Sequence, residues 1–133
     1  MNSLAAFPPL LLVAIGGGAG AMLRYLVGRW ALAAFGPGFP VGTLAVNLIG
    51  GLAMGLVVGV LARVNQGGEQ LRLLLGVGVL GGFTTFSAFS LEMVNMVTRD
   101  QLGLAAGYAA ASVLGSMAAL FAGLWIVRGL GAA

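Results

Sequence analysis

Charged residues punctuate this chain at wide intervals and leave four long stretches with none. Met1 to Leu23, Trp30 to Ala62, Leu73 to Leu91 and Gln101 to Val127 contain no Asp, Glu, Lys or Arg. A helix needs about 20 apolar residues to cross a bilayer, so each stretch supports one span. The second stretch includes Gly36-Pro37-Gly38-Phe39-Pro40, which a helix interior would not tolerate. The predicted helices therefore cover Pro8 to Leu32, Val41 to Arg63, Gln70 to Thr98 and Leu102 to Arg128. Pro8 and Pro9 suit a first turn. The linkers Asn65-Gln66-Gly67-Gly68-Glu69 and Arg99-Asp100-Gln101 are short, so successive spans run antiparallel. The expectation is an all-α membrane protein, with residues 1–133 forming one four-helix transmembrane domain.

Composition sharpens this picture. Hydrophobic residues make up 60% of the chain, charged residues 7%, and 24 of 133 residues are glycine. Nine charges cannot solvate a soluble globule of 13.3 kDa, since ordinary domains are about 25% charged. The absence of Cys and His removes disulfides, thiolate chemistry and the commonest metal ligands. Without these groups or clustered carboxylates, the sequence is not that of an enzyme. The six basic residues against three acids are too few to form a nucleic-acid patch. No basic residue precedes Arg24, so a signal peptide with a charged leading region is not expected.

The arginines do not orient the chain. Alternating helix ends place Arg63, Arg72 and Arg128 on one side and Arg24, Arg29 and Arg99 on the other. The positive-inside rule has nothing to act on in such a tie. Two readings follow: a chance balance among few charges, or dual topology with an antiparallel homodimer. A two-fold contact is the commonest way to build an oligomer.

Small residues recur every four positions at Gly51, Gly55 and Gly59 and at Gly103, Gly107, Ala111 and Gly115. In lipid such spacing lets backbones approach, and packing is its sufficient explanation; the same holds for Gly16, Gly17, Gly18 and Gly20. Gly81-Gly82-Phe83-Thr84-Thr85 is different, because it joins a glycine pair to β-branched residues at membrane depth. Both types disfavour helix, so a break is predicted near the middle of the third helix. Carbonyls freed by such a break must find protein, water or a cation.

The remaining polar residues within the spans are few. Thr43 and Asn47 are four apart and share a face. Ser87 and Ser90 lie beside Phe86 and Phe89, and Tyr108, Ser112 and Ser116 form a column on the fourth helix. Glu92 is the only acid on a predicted span. Hydroxyls in membrane helices commonly bond back to a carbonyl one turn earlier. Asn47 is either interhelical glue or a ligand-facing amide. What accumulates is donors and aromatic edges rather than a row of carboxylates, which leans toward a small anion. Arg24, placed near the end of the first helix, either attracts anions to a mouth or snorkels toward headgroups.

Three motifs, Gly20-Ala21-Met22-Leu23-Arg24-Tyr25, Gly42-Thr43-Leu44-Ala45-Val46-Asn47 and Gly81-Gly82-Phe83-Thr84-Thr85-Phe86-Ser87-Ala88-Phe89-Ser90, together resemble the Fluc (CrcB) family of fluoride channels. The resemblance implies a passive, fluoride-selective channel of the inner (plasma) membrane, built as an antiparallel homodimer in contact with lipid. It implies a structural Na⁺ at the dimer centre, held by the backbone carbonyls of Gly81 and Thr84. It also implies pore roles for Asn47, Phe86 and Phe89, a polar route through Thr43, Ser87, Ser90, Tyr108, Ser112 and Ser116, and a vestibule role for Arg24. The alternative is a small four-helix multidrug/proton exporter, whose chemistry needs a buried acid, usually on the first helix. The first helix here has none.

Overall fold

In the computed structural model, which describes residues 8–131, four long helices account for most of the chain. They are α1 (Pro9–Phe35), α2 (Val41–Leu61), α3 (Gly68–Thr98) and α4 (Leu102–Gly131), each long and apolar enough to cross a membrane. The terminal stretches 1–7 and 132–133 of the expected domain lie outside the described residues.

The helix ends follow from local chemistry. α1 starts on the Pro8-Pro9 pair and ends at Gly36, whose φ of 75° takes the chain out of the helix while its N–H still bonds Leu32. Nothing in Ala33-Ala34-Phe35 opposes helix, so α1 extends three residues beyond the expected Leu32. α2 stops at Leu61, short of Arg63, and α4 continues past Arg128 to Gly131. The lengthening of α1 corrects the placement of Arg24. With 27 residues in the helix, Arg24 lies well inside it, about 16 Å from the end at the α-helical rise.

α3 departs most from a regular helix. A short α-helical turn at Gly68–Leu71 leads into a π-helical stretch, Arg72–Leu80, followed by Gly81–Phe83. Thr84 is then extended (φ −79°, ψ 157°), and helix resumes over Ser87–Thr98. The predicted break is present, in the second half of the Gly81–Thr85 motif and reaching Phe86. Gly81 and Gly82 are helical, and the interruption falls on Thr84, Thr85 and Phe86.

Contacts between glycine backbones set the arrangement. Gly16 lies against Leu74 and Gly78, and Gly20 against Val79 and Phe83, so α1 and the first half of α3 run the same way. Gly51, Gly55 and Gly59 meet Ser116, Leu120 and Val127, so α2 and α4 also run the same way. Between neighbours in sequence the direction alternates, as expected from the short linkers. A methyl at Gly20 would overlap the Val79 carbonyl, and one at Gly55 would overlap that of Leu120. The α4 glycine at this crossing is Gly123, buried against Leu52, Gly55 and Leu56. Gly103 and Gly107 face open space within the chain, because the helices cross farther along.

Little of this surface is covered by the chain itself. Only 17% of the most apolar window is buried in three of the four spans, which fits helices whose outer faces meet lipid rather than water. The second half of α3 packs through a small cluster of Met96, Ala105 and Tyr108, with Phe39, Leu44, Phe89 and Met93 around it.

Candidate functional site

The break in α3 is held open by side chains. The Asn47 amide pairs twice with Thr85: its Nδ2 donates to the Thr85 carbonyl (3.0 Å), and its Oδ1 accepts the Thr85 N–H (2.9 Å). In an uninterrupted helix that N–H would close on the Gly81 carbonyl. One turn later the Thr85 hydroxyl accepts the Ala88 N–H (3.2 Å), which would otherwise close on Thr84. Among the described residues, no hydrogen bond replaces the lost one at either Gly81 O or Thr84 O. Asn47 is thus interhelical glue in this chain, and the site it glues is the interruption. Propensity pointed to the glycines and the threonines alike, and competing acceptors decide that the helix opens at the threonines.

An open groove of about 450 Å³ runs beside this interruption. Of the residues singled out in the sequence, Asn47, Thr84, Phe86, Phe89, Ser112 and Ser116 line it. Phe86 is 77% exposed. The hydroxyl oxygen of Ser112 is buried and has no hydrogen-bond partner. The resumed helix starts here, so its positive dipole end lies at the groove. No charged side chain lines the groove. Its lining is largely apolar, and the polar groups it offers are the Ser112 and Ser116 hydroxyls beside the Phe86 and Phe89 rings, a neutral set that suits a small anion better than a cation.

The other candidates fall elsewhere. The hydroxyls of Thr84 and Ser90 bond back to Leu80 and Phe86, one turn earlier. Ser87 is exposed, 3.4 Å from the Thr85 hydroxyl. Thr43 and Tyr108 both turn to Glu92, donating over 2.7 Å and 2.5 Å to its two carboxylate oxygens. The expected column on α4 is therefore divided: Tyr108 serves Glu92, while Ser112 and Ser116 serve the groove. Arg24 and Thr43 line a second cavity of about 240 Å³ together with Thr85. Thr85 thus lies between that cavity and the groove.

Aromatic rings connect these features. Centroids are separated by 5.6 Å for Phe86–Phe89, 5.2 Å for Phe89–Tyr108 and 5.5 Å for Tyr108–Phe39. Sequence reasoning did not identify Thr85 as a clamp or Glu92 as an acceptor. Glu92 did leave a signal: the only acid on a span needs donors, and Thr43 and Tyr108 were among the few polar residues able to supply them.

Comparison with known proteins gives the family. Residues 11–124 match the family described as CrcB-like protein, Camphor Resistance (CrcB). A relative from Novosphingobium aromaticivorans, named fluoride-specific ion channel FluC, is 60% identical over 120 residues, covering 89% of this chain and 94% of its own. Relatives of the same name from Sphingopyxis alaskensis and Phenylobacterium zucineum are 53% identical over 130 residues and 57% identical over 120. They cover 98% of each chain in the first case, and 90% of this chain and 94% of the relative in the second. The chain belongs to the CrcB-like family.

Proposed function

We propose that this protein is a fluoride-selective channel that lets cytoplasmic fluoride leave passively, relieving fluoride toxicity. The observation that carries this reading is high identity, along nearly the whole chain, to relatives named fluoride-specific ion channels. The groove supports it with hydroxyl and aromatic donors and no charged lining. Fluoride is compact and strongly hydrated, so a filter must replace its water with small donors, while a narrow bore excludes larger halides. Asn47, Phe86, Phe89, Ser112 and Ser116 are the proposed pore groups. Thr43, Ser87, Ser90 and Tyr108 extend the route, and Arg24 attracts the anion to its vestibule.

Hydrogen fluoride crosses bilayers uncharged and releases the anion inside. A membrane potential negative inside then drives the anion out, by about 2.3 kcal/mol per charge per 100 mV. This mechanism needs no coupling carboxylate. The exporter alternative depends on a buried acid, usually on the first helix, and the first helix here has none.

In the proposed working unit, two copies insert in opposite senses into the inner (plasma) membrane and pair as an antiparallel homodimer. The balanced arginines and the exposed Phe86 support this assembly. A structural Na⁺ at its centre, which is not transported, would be held by the Gly81 and Thr84 carbonyls, and the donor set fits. Both are neutral oxygens released from helical bonding, and Gly81 is left uncovered by the single chain. Bound there, the cation would supply positive charge that fastens the two copies together.

The test is fluoride efflux from proteoliposomes beside a chloride control. Fast fluoride loss with chloride retained is expected. An impermeable, well-folded preparation with Na⁺ on both sides would overturn the reading.

A further inference from the structure

Two hydrogen bonds at the break share one arithmetic. The Thr85 N–H and the Ala88 N–H are the fourth-residue partners that a continuous helix would give to the Gly81 and Thr84 carbonyls. Each is held by a side-chain oxygen instead, Asn47 Oδ1 in one case and Thr85 Oγ1 in the other. The two carbonyls left open are the two proposed to hold Na⁺.

From this we infer that Asn47 and Thr85 are positioning residues for the cation: their side-chain oxygens occupy the N–H groups that would otherwise draw the Gly81 and Thr84 carbonyls back into the helix. The inference rests on the cation reading above and deepens it. Backbone ligands cannot be altered directly by substitution, so their availability is set by whatever competes for their usual donors. At Gly81 the competitor is an amide on α2, which also lines the groove. One Asn side chain thereby ties the anion route to the cation site. At Thr84 the competitor is the hydroxyl of the next residue, itself 9% exposed and fixed between α2 and the resumed helix. Losing either oxygen leaves an N–H in an apolar surrounding with one good acceptor in reach, the carbonyl four residues back. The break then closes on that side and one ligand is withdrawn.

The experiment is a thermal-melting titration of the purified full-length protein in detergent, with Na⁺ replacing N-methylglucamine at constant ionic strength. The wild-type protein is expected to gain stability as Na⁺ rises. Thr85→Val, which keeps the shape and removes the acceptor, should move the midpoint of that response to about tenfold higher Na⁺, the equivalent of one hydrogen bond. Thr85→Ser, which keeps the hydroxyl, should restore it, and Asn47→Leu should shift it as Thr85→Val does. Ala88→Pro removes the competing N–H itself, at a first-turn position where proline is accommodated. Added to Thr85→Val it should return the midpoint toward wild type, which a merely structural role for Thr85 would not do.

A wild-type midpoint unchanged in Thr85→Val, or no rescue by Ala88→Pro, overturns the positioning role while leaving the cation reading intact. A wild-type protein indifferent to Na⁺ overturns both. Asn47→Leu decides the matter if Thr85→Val does not fold: its midpoint should rise to higher Na⁺, and an unshifted midpoint overturns the inference.

Discussion

Tyr108 donates its phenolic proton to Glu92 over 2.5 Å, fastening α4 to the second half of α3. Thr43 donates to the other oxygen of the same carboxylate, so three helices meet at one acid. Hydrogen bonds to a charged group contribute about 1.5–3 kcal/mol. Tyr108→Phe keeps the ring contacts with Phe39 and Phe89 and removes only the donor. It should lower stability by about 2 kcal/mol, read as a fall in melting temperature. An unchanged melting temperature would mean that the carboxylate does not organise this junction.

The closest helix approach makes a sharper structural prediction. Gly20→Ala places a methyl on the Val79 carbonyl, and forcing α1 away from α3 should cost about 1–3 kcal/mol. Gly18 has open space within the chain, so Gly18→Ala should be neutral or slightly stabilising. Thermal unfolding of the two variants side by side distinguishes packing from a general need for glycine in α1. Equal losses would refute the packing account.

At Ser112 stability and flux should separate. Its buried hydroxyl has no partner, so Ser112→Ala removes an unsatisfied group and should leave stability unchanged or raise it by up to about 1 kcal/mol. Fluoride efflux should fall about tenfold, the equivalent of one donor lost from the route. A variant that loses stability while keeping full flux would place the hydroxyl in packing rather than in the pore.

Arg24 should act through its charge. It lines the cavity on the far side of Thr85 from the groove, and a long-range attraction of this kind is screened by salt. Arg24→Gln should depress fluoride flux strongly at low ionic strength and much less at high ionic strength. A deficit independent of salt would assign Arg24 a structural role instead.

The four helices were legible in the sequence because charges and the Gly36–Pro40 stretch bound them, and those features act locally. The interruption in α3 was legible in the Gly81–Thr85 motif, but the partner that fixes it within that motif was not. Gly81 and Gly82 weaken the helix, yet it opens where Asn47, 38 residues away in sequence, reaches Thr85. The Thr43–Glu92 pair spans 49 residues, and no local pattern encodes such a partner. The π-helical winding ahead of the break was also not anticipated, since its leucines, valines and glycines suit an α-helix equally well. Phe86, Phe89, Ser112 and Ser116 share one groove, a grouping across two helices that spacing along either one did not encode, whereas Tyr108 turns from its column to Glu92.

The wide winding of Arg72–Leu80 also bears on how the gene can change. A π turn is equivalent to an α-helix carrying an extra residue, so this stretch stores spare chain. Losing one codon there could be absorbed by tightening to α-helix, leaving everything from Gly81 onward in register. The same loss between Ser87 and Leu91 would rotate Glu92 away from Thr43. Single-residue deletions should therefore be tolerated ahead of the break and eliminated just after it.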